Sequence, residues 1–221
     1  GLIGALTEQV LTRACRQLKA WQAHAGDGTR LKIQVNVSGT DLCRLALVSH
    51  VTRALLGNGL EPSQLTLEIT ESMLMKRLDS ALETMTQLRE LGVGLSVDDF
   101  GTGYSSLSYL STLPITSLKI DRSFVQRLQD GTPNSEVVKA IVMLGHSLGR
   151  AVIAEGIESP AQLATLRELG CGFGQGYLLA RPLTAEMAEA WLIDERLNAG
   201  AAAAPQPRSG RDSEFASVTV H

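Results

Sequence analysis

The run Asp98-Asp99-Phe100-Gly101-Thr102-Gly103-Tyr104-Ser105-Ser106 holds the densest chemistry in the chain. Adjacent carboxylates can bind or bridge two cations, and the glycines after them let the backbone turn sharply toward a ligand. An acidic, solvated turn is the competing reading of the same residues. What favours cation chemistry is company. Asn36, Glu68 and Glu155 also stand at the ends of apolar-alternating stretches. All five residues offer oxygen alone, the donor set of hard ions such as Mg²⁺ or Mn²⁺. Like charges gathered at one place repel, so a cation is their natural partner. Each acid taken singly also fits a solvated strand end.

Lys119 lies on the same face of its stretch as Asp121. Among metal-binding carboxylates a lysine can orient a water or neutralise a developing phosphorane, although a plain structural ion pair suits the spacing equally. Glu71 and Glu158 each follow a candidate ligand, Glu68 and Glu155, by three positions and fall outside the strands, where they would hold loops. Glu158 reads equally as an acid placed before a helix, favoured there by the helix dipole.

These residues need a scaffold that brings them together. Leu31, Ile33, Val35 and Val37 alternate with Lys32, Gln34 and Asn36, the period of a strand ending in an amide. Leu65, Leu67 and Ile69 alternate with Thr66, Glu68 and Thr70, and Val93, Leu95 and Val97 with Gly94, Ser96 and Asp98. Shorter runs at Leu118 to Asp121, Val152 to Glu155 and Gly172 to Gln175 bring the count to about six strands. Helical spacing covers Leu6 to Ala23 and Ser80 to Leu91, the latter stopping at Gly92. Ser159-Pro160 opens another helix as N-cap and first-turn proline, which stops at Gly170. The phrase Leu-Arg-Glu-Leu-Gly recurs at Leu88 to Gly92 and Leu166 to Gly170, each time before a strand.

Alternating β and α units imply a parallel sheet. An open doubly wound sheet gathers its ligands at one switch point, whereas here nearly every strand ends in a candidate ligand. A (β/α)8 TIM-type barrel explains that better, because all its strand C-termini converge on one mouth. Such barrels have eight strands in roughly 250 residues, so the opening βα units are expected to be missing and about six of eight present. The barrel domain is expected over 1–197, followed by a disordered Ala/Pro/Ser-rich tail over 198–221 that lacks apolar periodicity.

Composition narrows the function classes. With 44% hydrophobic and 19% charged positions among 221 residues, the chain can bury one sizeable core. The balance of 20 basic against 23 acidic side chains supports neither a DNA-binding footprint nor a polybasic membrane patch. Cys15, Cys43 and Cys171 form no CxxC pair, and the four histidines lie in no HExxH arrangement, which argues against disulfides, thiolate zinc and imidazole ligation. A reducing, cytoplasmic setting is expected, and no stretch approaches the roughly 18 apolar residues of a membrane helix.

Read together, the motifs resemble the EAL domain family of cyclic-di-GMP phosphodiesterases. The resemblance is carried by Asn36-Val37-Ser38, Leu67-Glu68-Ile69-Thr70-Glu71-Ser72, the Asp98 to Ser106 run, Leu118-Lys119-Ile120-Asp121, Ala154-Glu155-Gly156-Ile157-Glu158 and Gln175-Gly176-Tyr177, in the family's order. It extends from near the start to Pro182-Leu183. The resemblance implies hydrolysis of one phosphodiester bond of cyclic di-GMP to linear pGpG, in bacterial second-messenger signalling, through two Mg²⁺ or Mn²⁺ ions. It places Asn36, Glu68 and Asp98 on one metal and Asp98, Asp99 and Glu155 around the second. Lys119 would help position the attacking water, Asp121 and Gln175 would support the site, and Glu71 would brace the Asp98 to Ser106 loop, through which the family forms homodimers. Members of the family often carry sensory or GGDEF domains upstream. The family's Glu-Ala-Leu strand, whose glutamate completes the first metal's shell, is expected before Gly1. A catalytically inactive module that binds cyclic di-GMP or a protein partner is the alternative from the same family, and an enolase-type Mg²⁺ barrel with a lysine base is the alternative outside it.

Overall fold

The computed structural model describes residues 2–24, 31–103, 107–128 and 133–201. In chain order its elements are α1 (Leu2–Gln22), β1 (Ile33–Asn36), α2 (Gly39–Leu42), α3 (Ala46–Asn58), β2 (Leu65–Thr70), α4 (Glu71–Leu91), β3 (Gly94–Phe100), α5 (Leu107–Thr112), β4 (Ser117–Ile120), α6 (Arg122–Gln126), α7 (Pro133–Ser147), β5 (Ala151–Ala154), α8 (Pro160–Glu168), β6 (Phe173–Gly174) and α9 (Ala185–Ala201).

The six strands among the described residues are all parallel and lie in the order β1-β2-β3-β4-β5-β6. A doubly wound sheet reverses direction at its switch point; this one never does, so each crossover steps the same way and the sheet curls as an incomplete (β/α)8-type barrel. Apolar strand residues such as Leu65, Leu67, Ile69, Leu95, Val97 and Leu118 are fully buried in one core with Leu11, Leu18, Met85, Leu88 and Val142 from the helices. The opposite strand face is polar and yet buried: Glu68, Ser96, Ser117 and Lys119 are all inaccessible or nearly so. The barrel thus separates an apolar layer under the helices from a polar interior that opens at the strand C-termini.

The recurring Leu-Arg-Glu-Leu-Gly phrase has a conformational basis. Gly92 (φ +99°) and Gly170 (φ +81°) end their helices in the left-handed region. In both, the glycine N–H donates to Arg89 or Arg167 O, and the next N–H reaches back to Leu88 or Leu166 O, the paired bonds that turn a helix end into a following strand. Ser159 and Gln162 form a reciprocal capping box at the start of α8, with Pro160 in the first turn.

Several boundaries differ from the sequence reading. Helix α4 begins at Glu71, directly after β2, and carries a non-helical residue at Arg77 (φ −136°, ψ 20°). The buried position that opens its first turn is an acid, Glu71, and Leu74 is the one buried apolar residue before the break. Strand β1 is shorter than 31–37, β6 is reduced to two residues, and β3 continues through Asp99 to Phe100. Helix α9 continues to Ala201, so the expected boundary at 198 falls inside it; the rest of the expected tail lies outside the described residues.

Helix α7 approaches β5 so closely at Gly145 that a Cβ there would lie 2.2 Å from Val152 Cγ2. Alanine normally stabilises a helix interior relative to glycine by about 1 kcal/mol, but here over-packing dominates. Gly145→Ala is expected to lower unfolding free energy by about 1–3 kcal/mol in urea denaturation; an increase would show that the two elements have room to part.

Candidate metal centre

The ladder registers set the depth of each polar group. Asn36 pairs with Glu68 and Glu68 with Ser96, which puts these three at one level of the sheet. Asp98 pairs with Thr70, one layer nearer the mouth. On the other side Lys119 pairs with Ile153, and Glu155 follows β5 with its N–H donating to Ile120 O at 3.2 Å.

Lys119 is the hub. Its side chain is 3% exposed and Nζ lies 2.9 Å from Glu68 Oε1, 3.2 Å from Asp98 Oδ1 and 2.5 Å from Glu155 Oε1. Three carboxylates around a buried ammonium hold it in its charged form and raise its pKa, against the opposing effect of desolvation. One positive charge cannot satisfy all three acids. Desolvation, with Asp98 and Glu68 close by, pushes Glu155 up to about 7, against the pull of Lys119. Gln175, just beyond β6, anchors this carboxylate by donating from Nε2 to Glu155 Oε1 at 2.7 Å.

Asp99 reaches the same place by a backbone device. Successive residues of a strand point to opposite faces, so Asp98 and Asp99 would ordinarily diverge. Between Val97 and Phe100 the β3–β4 register slips, and Asp99 takes φ +54°, the one non-glycine residue with positive φ among those described. This bulge re-aims the side chain. Carboxylate oxygens of Asp98, Asp99 and Glu155 come within 4.8 Å of one another. Burial and the neighbouring Asp98 and Asp121 raise the Asp99 pKa, with Lys119 opposing them. Asp121 meanwhile caps α6, its Oδ1 accepting from Ser123 N at 2.9 Å.

Glu71 lies apart from the cluster and does something else. Fully buried at the start of α4, it accepts from Gly101 N at 2.8 Å and Gly103 N at 3.4 Å through Oε2. A Cβ at position 103 would meet Glu71 Oε1 at 2.8 Å, which explains the small residue there. The carboxylate therefore holds the described part of the loop that leaves Asp98 and Asp99; residues 104–106 lie outside the described residues. Glu158 is exposed, and its backbone N–H donates to Gln162 Oε1 at 2.8 Å, so it stands at the α8 entrance and outside the cluster. Asn36 ends β1 at the level of Glu68 and is solvent-exposed.

The donor set fits hard divalent cations. Glu68, Asp98, Asp99 and Glu155 bring four carboxylates against one lysine, all oxygen donors, with three of them already converged. The sequence reading passed over Ser96, whose buried hydroxyl lies beside Glu68 in the barrel interior, and Asp41, a carboxylate 3% exposed behind the end of β1. Ser96 was visible as the polar member of its alternation, but Asp41 had no periodic signal.

Comparison with known proteins gives one consistent result. Residues 1–182 match the family model described as EAL domain. Over 186 residues the chain is 47% identical to the bifunctional diguanylate cyclase/cyclic di-GMP phosphodiesterase MucR of Pseudomonas aeruginosa, covering 84% of this chain and 27% of that protein. Over 199 residues it is 44% identical to the cyclic di-GMP phosphodiesterase NbdA of the same organism, covering 90% of this chain and 25% of the relative. The chain thus spans about a quarter of the length of these curated relatives. Among solved structures, the PaMucR phosphodiesterase in complex with c-di-GMP superposes with a TM-score of 0.78 at 46% identity, over 85% of this chain and 75% of that one. The EAL domain of Mycobacterium smegmatis DcpA gives 0.79 at 35%, over 87% and 86%.

The raised Glu155 pKa has a thermodynamic consequence in metal-free protein. Unfolded, this glutamate titrates near 4.5; folded, near 7. Between those values the native state holds the extra proton, so its stabilising contribution is complete below pH 4.5 and is lost as pH rises through 7. In EDTA, urea unfolding free energy is expected to fall between pH 5 and 7 by up to about 1 kcal/mol per pH unit more than in Glu155→Gln. Parallel curves for the two proteins would place the proton elsewhere.

Proposed function

The chain belongs to the EAL domain family, and from that membership and the geometry of its mouth we propose that it hydrolyses one phosphodiester bond of cyclic di-GMP to give linear pGpG. The carrying observation is the convergence of Glu68, Asp98 and Glu155 on Lys119, with Asp99 turned to join them. Asn36, Glu68 and Asp98 would hold one Mg²⁺ or Mn²⁺, and Asp98, Asp99 and Glu155 a second. The ions, when bound, supply Lewis-acid polarisation of the phosphodiester and a water of lowered pKa.

The chain's own residues do the rest. Lys119 Nζ, now balancing three carboxylates, is placed to donate hydrogen bonds to the attacking water and to the charge that grows on the phosphoryl oxygens. Gln175 fixes the orientation of Glu155, and Asp121, packed against Asp99, limits where that carboxylate can swing. Glu71 keeps the loop after Asp99 in place through the Gly101 and Gly103 amides. The same loop, Asp98 to Ser106, is the proposed contact for a second copy of the chain. Sensory or GGDEF domains in a longer parent protein belong to the same proposal, as does action on the cytoplasmic messenger pool; no described helix is long and apolar enough to cross a membrane.

Incubation of cyclic di-GMP with the chain and Mg²⁺ or Mn²⁺, followed by chromatography, is expected to yield pGpG. Glu68→Ala should lower the rate by at least about 10²-fold, because the remaining acids would hold the ion in altered geometry. Tight nucleotide binding with no product from folded wild-type protein would instead favour a binding module that signals by conformation.

A further inference from the structure

Asp41 has no part in the chemistry above, yet it is a carboxylate 3% exposed. No cation among the described residues lies within ion-pair distance of it, and the hydrogen bonds to its side chain come from two neutral hydroxyls: Thr7 Oγ1 on α1 and Ser38 Oγ, both 2.7 Å from Asp41 Oδ2. Burying an acid with such partners is costly. A helix cap alone does not require it, because Ser38 Oγ already accepts from Asp41 N at 3.1 Å as the N-cap of α2. The carboxylate adds a bolt between α1 and the turn that leaves β1.

That turn begins two residues after Asn36. The β2 ladder holds the end of β1 through Val37 N to Glu68 O at 3.0 Å. The Thr7–Asp41–Ser38 connection adds a second tie, from the turn just after Asn36 to α1. We infer that Asp41 is a positioning residue that sets the place of Asn36 in the first metal's shell. The inference rests on the metal-centre reading and adds to it a residue that touches neither metal nor substrate.

Mn²⁺ binding to the purified chain, read from the electron paramagnetic resonance of the unbound ion, tests it without activity. Asp41→Ala is expected to weaken binding on the order of tenfold, and Thr7→Val, which keeps the carboxylate, by a few-fold. Asp41→Asn retains an oxygen acceptor for both hydroxyls and should bind within about twofold of wild type. Asn36→Ala should abolish the effect of Thr7→Val, since a residue that acts through Asn36 has nothing left to position. Should Asp41→Ala not fold, Thr7→Val and its combination with Asn36→Ala decide. Binding unchanged in Thr7→Val, or losses that simply multiply with Asn36→Ala, would overturn the inference while leaving the metal centre standing. Wild-type binding no tighter than that of Glu68→Ala would remove the metal centre and the inference with it.

Discussion

Everything at the mouth depends on an imbalance of charge around one buried lysine. Lys119 sits within ion-pair distance of Glu68, Asp98 and Glu155, and removing one partner from such an arrangement leaves charge that neither solvent nor protein can answer. The fold tolerates the cluster because its apolar burial is elsewhere, between the outer strand faces and the helices. A sheet with one apolar and one polar buried face can carry acids at several strands without cutting into its main source of stability. The same excess of acid that strains the metal-free state makes a divalent cation the favourable occupant.

Two kinds of constraint then share the work of aiming those acids. Glu68 and Lys119 lie within ladders, where register alone determines their depth. Asp99 and Glu155 lie where the ladder falters or ends, and each needs a further device. For Asp99 it is the bulge with φ +54°, a conformation costing on the order of 1–3 kcal/mol that only a surrounding structure can impose. Glu71, clamping the amides of Gly101 and Gly103, is part of that surrounding. For Glu155 it is the amide of Gln175.

Legibility in the sequence follows the same division. Alternation at 65–70 and 93–98 exposed the strands and placed Glu68 and Asp98 on one face, because a ladder has a fixed period of two. The incomplete barrel followed from acids at many strand ends, and the β1-to-β6 order agrees. Features that break period were hidden. The start of α4 at Glu71 was missed because a buried acid replaces the apolar residue expected in its first turn. The turn of Asp99 back toward Asp98 cannot be read from alternation, which points it the other way. Asp41 stands in a local Ser-x-x-Asp spacing with Ser38, but its contact with Thr7 of α1 spans 34 positions and leaves no local signal.

This division has a consequence for how such a site can be controlled. Groups held by ladders move only if the sheet moves, and the sheet is tied to the core through every strand. Groups held by single contacts shift when one contact shifts. Glu71 begins a helix whose regular geometry breaks at Arg77, and the short segment before the break is anchored in the core by Leu74. The loop after Asp99 is thus tied to that segment through one carboxylate, whereas Glu68 and Lys119 are held by ladders. Asp99 and its bulge therefore depend for their aim on the Glu71 clamp in a way that Glu68 and Lys119 do not.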